Sequence, residues 1–147
     1  MRIRVTVLML LVSISLAAFA RNEESLDQLV ARAESAPQGE RPALYIRIAR
    51  QQADVADKLY QEGNAEAGNS AVAHVVTYSE KASDAAAATG KKMKDTEIAL
   101  RKMAEKFRDV KRSLPFEDQA PVQQAIDRLE KMRTDLLGAM FGKKGKK

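Results

Sequence analysis

The clearest pattern along the chain is a seam of apolar positions between residues 93 and 114, spaced alternately three and four residues apart. Its members are Met93, Thr96, Leu100, Met103, Phe107, Val110 and Leu114. This spacing predicts a long helix with one buried side of heptad type. The residue before a proline disfavours helical geometry, so the pair Leu114–Pro115 should end the helix.

Similar but less regular stripes predict four further helices, over residues 23–35, 42–62, 65–89 and 120–141. The first stripe holds Leu26, Leu29, Val30 and Ala33. The second holds Leu44, Ile48, Val55 and Leu59, with Ala49, Ala53, Ala56 and Tyr60 beside them. The third holds Val72, Val75, Val76, Ser79, Ala82 and Ala86, and the last holds Val122, Ile126, Leu129, Met132, Leu136 and Met140. No window alternates as a strand would. We therefore predict an all-α protein: a single domain, residues 21–141, forming an antiparallel helical bundle of about four long helices plus a short N-terminal helix.

The predicted boundaries follow from capping and turn chemistry. Ser25 and Gln28 have the spacing of a capping box at the first helix. Pro42 suits the first turn of the second helix, and the Gly63–Asn64 pair suits a turn between the second and third. The tight link after Leu114 predicts that the last two helices form the core hairpin, with Phe116 plugging its end.

Surface charges are spaced for pairing along single helices. Arg50, Asp54 and Lys58 lie one turn apart in the second helix, and the same spacing relates Glu97 to Arg101 in the fourth. Each such pair contributes only about 0.2–0.5 kcal/mol. In the last helix, Arg133 occupies a position that a strict heptad would make apolar.

Residues 1–20 have the anatomy of a secretory signal peptide. A basic start, with Arg2 and Arg4, precedes an apolar run and an Ala-Phe-Ala end, and we expect cleavage after Ala20. The alternative is an uncleaved membrane anchor. The protein is therefore expected to be exported, to the periplasm or outside the cell. It has no cysteine, so disulfides and thiol chemistry are excluded.

Charge is distributed unevenly along the chain. The net charge is +5; residues 21–90 carry 7 basic and 11 acidic side chains, whereas residues 91–147 carry 16 and 9. Such asymmetry favours self-association or an anionic partner for the C-terminal part, although it also serves solubility alone.

Two groups of lysines are candidates for contact with an anion or a partner. Lys91, Lys92 and Lys94 lie in the segment TGKKMKDT, where the start of a helix can hold an anion. The others form a basic flexible tail, residues 142–147, and are Lys143, Lys144, Lys146 and Lys147. The tail can supply salt-sensitive attraction to anionic lipid or polymer. A solvated turn and a solubilising tail are the simpler interpretations.

No pattern points to catalysis or to a cofactor. His74 is the only histidine, and its helical neighbours place it on a polar or boundary side, with Ser70 one turn away. There is no Glu-x-x-His pair, no calcium-binding loop and no glycine-rich nucleotide motif. The methionines have core spacing. We predict no catalytic, metal or cofactor site, and His74 is the only conventional general base if an enzyme is nevertheless present.

Residues 52–85 resemble one tetratricopeptide-like helical hairpin. The resemblance rests on Val55, Ala56, Leu59, Gly63, Gly68, Val72 and Val75. Gln52 stands where the family has a large residue, and there is no second copy of the repeat. The resemblance implies a groove that binds protein. In other respects the chain is similar to small uncharacterised helical proteins that bacteria export, and that similarity implies no function.

Together these features predict an exported, non-enzymatic helical protein that acts through protein–protein interaction or self-association. The alternative is an envelope-associated protein that binds anionic lipid or polymer through its basic C-terminal half. No specific binding of nucleic acid is expected, because the lysines are not interleaved with aromatic residues.

Overall fold

A computed structural model describes residues 24–142, which form five α-helices and no strand. The helices are α1 (Leu26–Ser35), α2 (Arg41–Gln61), α3 (Ala65–Thr89), α4 (Met93–Ser113) and α5 (Gln119–Phe141), with a short 3₁₀ turn at Phe116–Asp118. The all-α helical bundle predicted from the sequence is confirmed. The expected signal peptide and the tail lysines lie outside the described residues.

Local sequence explains most of the helix boundaries. At α1, the Ser25 side chain accepts a hydrogen bond from the Gln28 backbone N–H, and the Gln28 side chain accepts one from the Ser25 backbone N–H, which completes the predicted capping box. Asn64 caps α3 by accepting from the Ala67 N–H at 3.2 Å. Gly63 and Gly90 adopt positive φ angles, 77° and 68°, which glycine reaches without a steric penalty.

The four long helices form a ring in the order α2, α3, α5, α4. Helices α2 and α3 are antiparallel, because Tyr60 meets Asn69 at one end and Tyr45 meets Tyr78 at the other. Helices α4 and α5 are antiparallel too. Helices α3 and α5, however, are parallel neighbours, and the link after Thr89 crosses the end of the ring diagonally. The chain is therefore not a simple succession of adjacent antiparallel helices.

The core lies inside this ring. The predicted α4 seam is confirmed: it is buried from Thr96 to Val110, with its two end residues half-buried. The α5 stripe is buried from Val122 to Leu136 in the same way. The largest side chains that are almost fully enclosed are Phe107, Ile48, Leu100 and Leu129.

Helix α2 is rotated relative to the prediction. Val55 was expected on its buried side, but it is 39% exposed. Tyr45 and Gln52 point inward instead, together with Tyr60, which was predicted to lie beside the buried stripe. The two aromatic rings bury more apolar area than a valine does, so the neighbouring helices select the side that carries them.

The link between α4 and α5 also differs from expectation. Phe116 does not plug the end of the hairpin, because its side chain is 88% exposed. The 3₁₀ turn that begins at Phe116 carries it outward. The most extensive helix–helix contact is that of α2 with α3, rather than that of the last two helices.

Charged side chains pair between helices more than along them. Asp54 contacts Lys106 of α4 rather than Arg50 or Lys58. Arg133 donates to Glu97 of α4 at 2.6 Å, which explains a charged residue at an apolar heptad position. The hydrogen bond from Glu97 raises the pKa of the Arg133 guanidinium.

Helix α1 is held on α2 and α3 by a polar cluster. Lys81 donates to Glu34 at 2.9 Å, and the Tyr45 hydroxyl donates to the same carboxylate oxygen at 3.0 Å. The Lys81 ammonium also lies 5.5 Å and 5.6 Å from the ring centres of Tyr45 and Tyr78. The Lys81 and Tyr45 hydrogen bonds lower the pKa of Glu34.

Candidate functional site

The main concave surface of the bundle is an open groove between the parallel helices α3 and α5. It consists of two adjoining cavities of about 660 and 340 Å³, and both are lined by residues of these two helices. Arg128 contributes to both cavities. We call this surface the α3–α5 groove.

The α3 wall of the groove is a continuous stripe of mostly small side chains. Its residues are Asn69, Val72, Ala73, Val76, Thr77, Glu80, Ser83, Asp84 and Ala87. They recur every three or four residues, which keeps them on one side of the helix. From Asn69 to Ala87 the stripe is about 27 Å long at 1.5 Å per residue.

The α5 wall is larger and more polar. Its residues are Pro121, Gln124, Ala125, Asp127, Arg128, Lys131, Met132, Asp135 and Leu136. Large side chains on α5 facing small ones on α3 leave the space that forms the groove. Near its middle, Arg128 and Glu80 form an ion pair across it. Both partners are substantially exposed, so the pair contributes little to stability.

Ser83 places a buried polar atom in the second cavity. The residue is only 8% exposed, and its hydroxyl has no hydrogen-bond partner within the described residues. Three other hydroxyls of α3, those of Ser70, Thr77 and Thr89, donate to the carbonyl four residues earlier. Buried polar groups are normally paired. The Ser83 hydroxyl is therefore an unsatisfied polar group buried in the α3 wall.

His74 lies on the exposed side of α3, as its helical neighbours predict. Its Nδ1 is 3.3 Å from the Oε1 of Gln52, a buried residue of α2. The Ser70 hydroxyl donates to the Glu66 carbonyl rather than to the imidazole. A nucleophile needs a base within hydrogen-bond reach, and this serine and histidine do not form such a pair. Gln52 was not identified as the partner of His74 from the sequence.

The three lysines predicted from the TGKKMKDT segment lie together at one end of the bundle. Lys92 and Lys94 line a cavity of about 540 Å³ with Met140 of α5. Lys92 adopts a positive φ of 60° and lies 3.7 Å from Asp95. The Lys91 side chain instead packs beside Gly39. The structure brings Lys92 and Lys94 to the end of the bundle where α5 finishes.

No group of three or more His, Cys, Asp and Glu side chains lies close enough to hold a metal ion within residues 24–142. Within the same range, no helix is both long enough and apolar enough to cross a membrane.

Comparisons of the chain with protein-family models, with curated proteins and with solved structures found no match.

The α3–α5 groove was not predicted from the sequence. The only available signal was a second stripe on α3, in which Ala73, Ser83 and Ala87 lie on the side facing away from α2. Small residues on a helix usually indicate close packing, but on this side Ala73 and Ala87 remain exposed. Whether another helix covers the side of α3 that faces away from α2 depends on the tertiary arrangement of the bundle, which the sequence of α3 alone does not show.

Proposed function

We propose that this protein is an exported, non-enzymatic helical domain that acts through protein–protein interaction or self-association, with the α3–α5 groove as its contact surface. The observation that carries the proposal is the groove itself: a continuous concave surface between two long helices, with a floor of small and apolar side chains. Grooves between helices are common binding sites for other helices. The expected signal peptide supplies the proposed localisation.

Two further observations support this proposal. The resemblance of residues 52–85 to a tetratricopeptide-like hairpin implies a protein-binding groove, and α3 belongs to that hairpin. In addition, the bundle separates charge between its halves, since α1 to α3 lie in the acidic part of the chain and α4 and α5 lie in the basic part. Complementary charge steers association between proteins.

The proposal is tested by sedimentation velocity of residues 21–147, alone and with extract of the cell envelope. We expect a species heavier than the monomer in at least one condition. Ala73→Trp should abolish it, because Ala73 is exposed and lines the groove. Ala31→Trp is the matched control, because Ala31 is exposed on α1. A strict monomer in both conditions would refute the proposal, as would a complex that Ala73→Trp leaves unchanged.

A second function has one specific observation in its favour. Lys92 and Lys94 lie beside Met140, so α5 finishes at the end of the bundle that carries these two lysines, and the lysine tail follows α5 in the sequence. We propose as the alternative that this end binds anionic lipid or polymer. Co-sedimentation with phosphatidylglycerol vesicles should then decrease steeply with salt and on deletion of residues 142–147. Equal co-sedimentation with neutral phosphatidylcholine vesicles would refute it.

A further inference from the structure

We propose that the α3–α5 groove binds a basic amphipathic helix of another protein, one with a narrow apolar side and lysine or arginine on its flanks. This inference rests on the proposed function and names the class of partner for the same groove. The shape and the charge of the groove both support it.

The shape of the groove suits a single helix. Its walls are parallel helices, and the α3 stripe extends for about five helical turns. Ala73 and Ala87 are small and exposed, so they allow a guest helix to approach α3 closely. The molecule already contains one example of a short helix packed on the outside of the long helices. The short helix α1 lies on α2 with Leu29 and Ala33 buried, and an ion pair connects it to α3.

The charge of the groove is negative. Four carboxylates and two cations line it, and two of the carboxylates are neutralised locally: Glu80 pairs with Arg128, and Asp135 pairs with Lys131 at 2.8 Å. Asp127 accepts a hydrogen bond from the Gln123 side chain at 2.8 Å, but neither Asp127 nor Asp84 has a cation within 4 Å among residues 24–142. The two carboxylates lie on opposite walls, in different cavities. A guest helix with basic flanks would neutralise both.

A second copy of this chain does not provide such a helix from residues 24–142. Each long helix uses its apolar side in the core of its own bundle. The large apolar side chains that are exposed in this range are Val55, Phe116 and Phe141, and they lie on different elements. We therefore assign the guest helix to another protein rather than to residues 24–142 of a second copy.

The test uses two synthetic helical peptides of about 18 residues, a length chosen to match the groove. Both carry the same alanine and leucine side; one has lysine on both flanks and its twin has glutamate. Fluorescence anisotropy with residues 21–147 should show saturable binding of the lysine peptide. The glutamate twin should bind at least about tenfold more weakly, because like charges repel at these walls.

Variants locate the binding in the groove. Ala73→Trp should weaken binding of the lysine peptide at least about tenfold by filling the space a helix needs. Asp84→Asn with Asp127→Asn should weaken it several-fold and reduce its dependence on salt. The matched controls are Ala31→Trp and Asp27→Asn, which change exposed positions on α1 and should leave binding unchanged. Circular dichroism confirms that each variant is folded.

The outcomes separate this inference from the proposed function. Equal binding of the two peptides, or binding that Ala73→Trp does not alter, overturns the inference. Preference for the glutamate twin, lost in Ala73→Trp, overturns the basic partner but leaves the groove as a binding surface. If neither peptide binds, the inference fails, and the sedimentation experiment with Ala73→Trp decides the proposed function separately.

Discussion

Gly68→Ala is the substitution for which the structure gives the sharpest expectation. A Cβ atom at Gly68 would lie 2.7 Å from Cε1 of Tyr60 and 2.9 Å from Cδ1 and Cζ of the same ring. These distances are shorter than a carbon–carbon contact allows, so the ring or the helix must move. Tyr60 is only 8% exposed, and its hydroxyl donates to the Asn69 side chain at 2.7 Å. The ring is therefore confined at both ends.

The magnitude follows from three opposing effects. Alanine is favoured over glycine inside a helix by about 1 kcal/mol. Overpacking a filled site costs about 1–3 kcal/mol, and displacing the ring removes a hydrogen bond that contributes about 1 kcal/mol. The balance is a loss of about 1–3 kcal/mol in the free energy of unfolding. For a chain of this size, a loss of about 2 kcal/mol lowers Tm by roughly 6–10 °C.

Urea unfolding of residues 21–147, followed by circular dichroism, measures this loss. Gly138→Ala is the matched control, because a Cβ at Gly138 in α5 meets nothing within 4 Å; it should stabilise the protein by about 0.5–1 kcal/mol. Adding Tyr60→Leu to Gly68→Ala should remove most of the penalty that is specific to the alanine. A Gly68→Ala protein as stable as the parent would refute the close approach of α3 to α2.

Three further predictions concern stability. Ser79→Ala should raise the free energy of unfolding by about 1 kcal/mol in the same urea assay, because the Ser79 hydroxyl is fully buried without a partner; destabilisation would show that the hydroxyl is bonded. Gly90→Ala should lower the free energy of unfolding by about 1 kcal/mol, because the φ of 68° strains any residue with a Cβ. An unchanged midpoint of urea unfolding would argue against that backbone geometry. Burial, and then the charge of Asp118, raise the pKa of Tyr60 from 10.0 to about 12. The folded state thus favours the neutral phenol, so about 2–3 kcal/mol of stability should be present below pH 10 and lost as the pH rises through about 12. Tyr60→Phe should flatten this dependence of the free energy of unfolding on pH. The same pH dependence in Tyr60→Phe as in the parent would contradict the role of Tyr60.

The sequence predicts individual helices better than their arrangement. The α4 seam is buried as predicted because its period is strict and one side has no competing apolar positions. In α2 there are two adjacent candidate sides, one with Val55 and one with Tyr45 and Tyr60. The choice between them depends on which helices are adjacent, and a single helix does not encode that information.

The ring order is the feature that sequence reasoning missed, and the groove depends on it. Short links predict that neighbours in sequence are neighbours in space. That rule holds for α2 with α3 and for α4 with α5, but the link after Gly90 crosses the bundle end and brings α3 beside α5. The lysines at this link were identified from the sequence, because a cluster of charged residues adjacent in sequence can be recognised without knowing the fold. The groove residues were not identified, because their proximity is created by the tertiary structure.

Helix α3 therefore has two sides whose small residues serve different purposes. Toward α2, Gly68, Ala71 and Ala82 are buried, and enlarging them displaces neighbouring groups. Toward the groove, Ala73 and Ala87 are exposed, and enlarging them fills only solvent. A tryptophan scan of α3 should consequently separate two effects: loss of stability at the buried positions, and loss of peptide binding with stability unchanged at the groove positions. That outcome would assign the small residues of α3 to packing on one side and to the proposed binding on the other.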